Sequence, residues 1–185
     1  MLYVQQSLGA NEELVHVGQF HSIYTVHSFS MIIWGIIGSV FVVCTALYGH
    51  EMLAQAFGSD LFPSFSRDMG VLERIRHVHP GIRIFAFIVF IYGLLRFAQM
   101  MVVKATTEIA VTNHRLIYKR GLVARHVGEI SIDRIEGVNV LQSFWGRIFD
   151  YGRLVVHGMG VGEVVLPPIA DPITFRRAIE KAKTI

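Results

Sequence analysis

The sequence predicts an α+β membrane protein: a two-helix transmembrane hairpin followed by a compact, mostly β domain with a C-terminal helix. The prediction rests on two long apolar blocks, a switch to alternating patterning after Lys104, and a helix-start signal at Asp171-Pro172. The composition agrees with it. Across 185 residues, 52% are hydrophobic and only 17% charged, where soluble domains carry about a quarter charged residues. The mean hydropathy is +0.48.

Leu14 to His50 contains no Asp, Glu, Lys or Arg, and its densest part, Phe29 to Leu47, reads FSMIIWGIIGSVFVVCTAL. About 20 such residues rising ~1.5 Å each cross a hydrocarbon layer about 30 Å thick. Tyr24, Trp34 and Tyr48 supply aromatic rings toward the ends. A cleaved secretory signal is not expected, because Glu12 and Glu13 stand where a basic n-region would be. The second block, Ile82 to Val103, follows Pro80-Gly81 and ends before Lys104.

Arg96 lies within this second block, where a cation at mid-bilayer costs a few kcal/mol or more. It sits toward the C-terminal end, with Gln99 and Lys104 following, so snorkelling to the headgroups is expected. A contact with a partner subunit inside the membrane is the sharper reading of Arg96. Gly35, Ser39 and Gly93 are small enough to let another helix approach closely, although such residues are also simply common in membrane helices.

Lys104, Arg115, Lys119, Arg120 and Arg125 follow the second block, Arg67, Arg74 and Arg76 lie in the connecting loop, and the N-terminal arm has no Lys or Arg. By the positive-inside rule both termini are expected in the cytoplasm. The expected organisation is an N-terminal arm at 1–24, a hairpin at 25–104 with a periplasmic loop at about 51–80, and a cytoplasmic domain at 105–185. Within the loop, Val71, Leu72, Ile75 and Val78 recur at helical spacing. His77 and His79 lack a third ligand in view and read as headgroup-level polar residues.

After Lys104 the alternation of strands with one buried face sets in. Strands are expected at Glu108–Val111, Leu116–Lys119, Glu129–Ile132, Val138–Leu141, Arg153–His157 and Glu163–Leu166, with Gly158 to Gly162 as a loose hairpin tip. Asp171 as N-cap and Pro172 at the first helical position begin a helix running to about Lys183. Its apolar stripe is Phe175, Ala178, Ile179 and Ala182. A bent antiparallel sheet capped by this helix accommodates every element.

The run from Val111 to Gly158 resembles the bacterial PH family, also described as membrane-flanked domains. The matching features are Thr112-Asn113-x-Arg115, Lys119-x-Gly121, Ile130-x-Ile132-x-x-Ile135 with Val138, and the Tyr151-Gly152 turn. The glycine-rich Gly158 to Gly162 departs from the polar tips common in the family. The resemblance implies a PH-like β-barrel or sandwich in the bacterial inner membrane. Because the two membrane helices return the chain to the same side, the N-terminal arm from Tyr3 to His16 is expected to add an edge strand to it. Phe144, Trp145, Ile148 and Phe149 are expected to form a short helix plugging the barrel, with Trp145 the best placed for exposure; a patch meeting lipid or a partner is the competing reading.

No Walker loop, HExxH, nucleophile elbow or CxxC is present, and the single cysteine, Cys44, lies in the first apolar block. No catalytic residue, metal site or cofactor is therefore expected. The net charge of +3 is spread among acidic residues, which argues against nucleic acid. Arg115, Lys119, Arg120 and Arg125 are expected to face an anionic leaflet, each contributing about 1 kcal/mol without a specific pocket. Phe144, Trp145, Arg96, Gly35, Ser39 and Gly93 are the candidates for partner or membrane contact. The expected function is a non-catalytic, membrane-anchored interaction or scaffold module, self-associating or accessory to a larger membrane complex. The alternatives are an anionic-lipid-binding domain and a pore or transport component formed by oligomerisation.

Overall fold

A computed structural model describes residues 2–49, 52, 55, 57, 69–121, 126–160 and 162–184. The chain divides into two compact units, Met1–Val26 with Met101–Ile185, and His27–Met100.

The His27–Met100 unit contains most of two apolar helices of 27 residues each, α2 (Ser22–Tyr48) and α4 (Pro80–Thr106), both long and apolar enough to cross a membrane. A short helix, α3 (Val71–His77), lies between them at the spacing expected from Val71, Leu72 and Ile75. Ile75 and Val78 pack with Ala46, Leu47 and Ile82. His79 Nδ1 accepts the Gly81 amide at 3.1 Å and so caps the start of α4. The helices meet where side chains are absent: a Cβ on Gly93 would lie 2.8 Å from Gly35 Cα and 2.8 Å from the Met31 carbonyl oxygen. Phe29 and Phe97 contact at 5.0 Å between ring centroids. The outer faces remain apolar and exposed, with Trp34, Phe41, Phe87 and Leu95 among them.

The other unit is a two-sheet domain. After α1 (Leu2–Ser7), the first sheet is ordered β1 (Leu14–Gly18), β2 (Glu108–Thr112), β3 (Arg115–Arg120), β4 (His126–Ser131), all antiparallel. The second is ordered β5 (Ile135–Leu141), β6 (Tyr151–Gly158), β7 (Gly162–Val165), with β8 (Ile169–Ala170) paired to the start of β6. A 3-10 turn at Ile132–Arg134 separates the sheets, α5 (Phe144–Ile148) joins β5 to β6, and α6 (Pro172–Ala182) closes the domain.

Ile109, Val111, Leu116, Ile130, Ile132, Leu154, Val156 and Leu166 interleave from both sheets, and α6 inserts Phe175 and Ile179 between them. The α6 stripe is buried as its spacing predicts. Asp171 Oδ1 accepts the Thr174 amide at 3.1 Å, and Pro172 occupies the first turn. Gly160 has φ +74, a left-handed conformation that favours glycine at the tip between β6 and β7.

Two expectations are corrected. The sheets do not close into a barrel: among the described residues β4 and β5 do not pair, and the sheets connect by hydrogen bonding at one corner, where Phe20 bridges Ile169 and the Ala170 amide donates to the Gln19 carbonyl at 2.9 Å. The first sheet is also not buried on one face alone. Its inner face carries Ile109 and Val111, while Ala110 and Ile117 on the opposite face pack against Val4 of α1. The N-terminal arm supplies both this covering helix and the edge strand β1.

Ion pairs hold the arm in place. Arg115 forms a two-pronged contact with Glu12, Nε to Oε1 at 2.9 Å and a terminal nitrogen to Oε2 at 2.8 Å, and reaches the Ser7 carbonyl at 2.7 Å. The Thr112 hydroxyl and the Gly9 amide also donate to Glu12. The Arg115 hydrogen bonds overcome burial and hold the Glu12 carboxyl at about 2, below its ordinary 4.5. Burial raises the Glu108 pKa, but donation from the Val4 amide, Lys119 and the Tyr3 amide outweighs it and leaves the carboxyl below its ordinary range.

Glu12 therefore stabilises the attached arm fully above pH about 4.5, and that contribution falls as pH drops toward about 2. Glu12→Gln is expected to cost roughly 2–3 kcal/mol at neutral pH and to abolish most of this acid dependence, as read from amide hydrogen-exchange protection of β1. Gly93→Ile is expected to destabilise the helix pair by about 1–3 kcal/mol through forced separation at Gly35, measured by reversible unfolding in mixed micelles.

Candidate membrane-facing site

The basic residues expected near the leaflet separate into distinct environments. Arg115 pairs with Glu12 and also with Glu129 at 2.6 Å. Lys119 pairs with Glu108 at 3.2 Å and lies 5.3 Å from the centroid of the Tyr3 ring. Both cations therefore bind the N-terminal arm. Arg120, at the end of β3, is exposed and has no ion pair among the described residues. Arg125 lies outside the described residues.

Arg120 shares a cleft of about 210 Å³ with Arg153, a residue that sequence reasoning did not single out. Arg153 is exposed on β6 and likewise has no ion pair among the described residues. Val103 and Thr107, at and just beyond the last turn of α4, line the same cleft together with Tyr118 and Pro168. No acidic residue lines it among the described residues. Thr107 donates its hydroxyl to the Val103 carbonyl at 2.7 Å, which leaves the two guanidinium groups as the strong donors. The signal for Arg153 was its place two residues after Tyr151, opposite Leu141 in the β5–β6 register, but register is not visible without the fold.

The segment expected to plug a barrel forms the expected helix and faces outward. Phe144, Trp145, Ile148 and Phe149 are 73%, 59%, 56% and 50% exposed. Gly146 explains the orientation. It is the buried residue of α5, and a Cβ there would lie 2.6 Å from the Tyr151 carbonyl oxygen, so the helix presses its glycine onto the start of β6 and turns its large side chains away. Ser143 caps the helix by accepting the Gly146 amide at 3.1 Å. Phe144 packs edge-on against Trp145, and Trp145 stacks with Phe149 at 6.0 Å. The exposed apolar area is on the order of 400–500 Å². Covering half of it would contribute roughly 5 kcal/mol at about 25 cal/mol per Å².

The start of β6, onto which α5 packs, also meets the residue before α2. His21, immediately before that helix, stacks on Tyr151 at 5.3 Å, and its Nδ1 accepts the Ile23 amide at 3.1 Å. Gln142 donates to the Tyr151 carbonyl and to the Gly146 carbonyl, both at 3.3 Å. Thr25 in the first turns of α2 accepts a hydrogen bond from Lys104 near the end of α4. The aromatic patch and the arginine cleft thus belong to the end of the domain where the chain enters and leaves the apolar helices.

In the helix pair, Gly35 and Gly93 are buried against each other, and Ser39 is half-buried. Arg96 is exposed and donates to Gln99 Oε1 at 2.9 Å, one turn along the same helix. Glu12 and Glu108, which hold the arm, were not singled out from sequence; their partners lie 103 and 11 residues away, and only the pairing of β1 with β2 brings Glu12 to Arg115.

No curated protein and no solved structure matches the chain. A family model described as Bacterial PH domain matches residues 53–183, a span that takes in α4 and the sheet domain after it and leaves out α1, β1 and α2. With most of its length matched, and with two apolar helices leading into two packed sheets and a closing helix, the chain belongs to the bacterial PH domain family.

Proposed function

We propose that the chain is a non-catalytic, membrane-anchored interaction module of the bacterial inner membrane. The α2–α4 hairpin spans the bilayer, and the PH-like domain stands at the cytoplasmic face. It works by associating with copies of itself or as an accessory subunit of a larger membrane complex. The observation carrying this reading is the open state of the sheets: among the described residues β4 and β7 each pair along one side only and are largely exposed, with Val127 and Val165 outward. Unpaired strand edges offer main-chain donors and acceptors to another strand. Gly35 and Gly93 pack against each other within the hairpin, which supports reading the sheet domain as the surface for association.

The protein is expected to remain in the membrane pellet after alkaline carbonate extraction and to enter solution with detergent. In mild detergent, native mass should exceed that of one 20.8 kDa chain, through further copies or a distinct membrane subunit. Val127→Lys combined with Val165→Lys is expected to return it to a single chain still held by detergent. Carbonate-soluble protein contradicts the anchor; a wild-type monomer contradicts the association.

A further inference from the structure

We propose that the end of the PH-like domain bearing α5, Arg120 and Arg153 is a docking rim for anionic phospholipid, with the aromatic side chains in the interfacial layer and the two guanidinium groups on the phosphate. This assignment rests on the hairpin crossing the bilayer and adds a second, independent contact with the same membrane.

Position is the first support. His21 on Tyr151 ties the start of β6 to the residue preceding α2, and Gly146 and Gln142 tie α5 to the same Tyr151 carbonyl. The arginine cleft is lined by Val103 and Thr107, at the point where α4 gives way to β2. Both features therefore belong to the end of the domain from which the chain enters α2 and to which it returns from α4, helices whose composition suits hydrocarbon.

Chemistry is the second. Trp and Phe beside basic residues are favoured at the boundary between headgroups and acyl chains, and α5 carries Arg147 among its exposed aromatics. Among the described residues, Arg120 and Arg153 share one cleft without a carboxylate to neutralise them, while Arg115 and Lys119 each have one. Two guanidinium forks fit the oxygens of a phosphate ester. The same pair would take free phosphate, so the source has to be distinguished by experiment. Lipid is favoured over a protein as the occupant of α5 because the exposed aromatics carry Arg147 among them and share one end of the domain with the Arg120–Arg153 cleft.

The chain has two tryptophans, so Trp34→Phe leaves Trp145 as the sole reporter and Trp145→Phe leaves Trp34. Each full-length variant is placed in nanodiscs of phosphatidylcholine alone or mixed with phosphatidylglycerol, with some lipids brominated high on the acyl chain. Trp145 is expected to emit to the blue of water-exposed tryptophan and to lose fluorescence roughly two-fold on contact with brominated lipid, more so with phosphatidylglycerol present. Arg120→Gln with Arg153→Gln should remove the phosphatidylglycerol increment and retain the quenching in phosphatidylcholine.

Water-exposed, unquenched Trp145 alongside quenched Trp34 overturns the docking rim while leaving the anchor intact. If neither tryptophan is quenched, the anchor itself fails. Trp145 shielded from aqueous acrylamide yet untouched by brominated lipid assigns α5 to a protein surface and overturns the lipid assignment. Loss of the phosphatidylglycerol increment in millimolar inorganic phosphate assigns the cleft to the free anion; persistence of the increment supports the lipid.

Discussion

The pairing of β1 with β2 is the constraint on which the rest of this molecule depends. Leu14 opposes Thr112 and Gly18 opposes Ile109, so a strand before the apolar hairpin and a strand after it are neighbours in one sheet. Everything between them leaves from one sheet and returns to it. Two helices are the fewest that can leave a membrane surface and come back, and each is long enough to cross. The Thr25–Lys104 hydrogen bond and the Phe20–Ile169 bridge reinforce the same closure from within the sheet domain.

The pairing also explains the unusual demand for charge in a chain so poor in charged residues. An edge strand contributed across such a long insertion has to overcome the entropy of closing that loop, a cost that grows only slowly with length but remains substantial. Glu12 and Glu108 help to offset it, Glu12 by pairing with Arg115 and Glu108 by accepting the Tyr3 and Val4 amides, while Val4 against Ala110 and Ile117 buries the outer face of β2 and β3. A polar clamp around a small apolar contact is effective here because Glu12 is almost enclosed, its side chain 4% exposed, and so keeps its charge-assisted hydrogen bonds out of competition with water.

Much of this architecture was legible from residues alone because it is local. Apolar runs specify the helices, alternation specifies the strands after Lys104, and Asp171-Pro172 with the Phe175, Ala178, Ile179, Ala182 stripe specifies α6. What escaped was set by tertiary geometry. The aromatic content of Phe144 to Phe149 suggested burial, but one glycine, Gly146, meets the Tyr151 carbonyl and the large side chains have no room on that side. Arg115 and Lys119 resembled a basic surface until the distant Glu12 and nearby Glu108 were placed beside them, whereas Arg120 and Arg153 meet only through the packing of β3 and β6 ends around Thr107. The open sheets follow from the 3-10 turn at Ile132–Arg134, which separates β4 from β5 and cannot be read from strand patterning.

Same-side emergence of the two hairpin ends is open to direct measurement in a Cys44→Ser background, with single cysteines introduced by Gln5→Cys, Glu73→Cys and Arg177→Cys, all exposed positions. A membrane-impermeant maleimide applied to intact spheroplasts and to inverted vesicles should modify Gln5→Cys and Arg177→Cys together in the inverted vesicles, and Glu73→Cys in the spheroplasts. Modification of Gln5→Cys and Arg177→Cys from opposite faces, or of all three from one face, would contradict a hairpin stitched at both ends into one sheet and threaded through the bilayer.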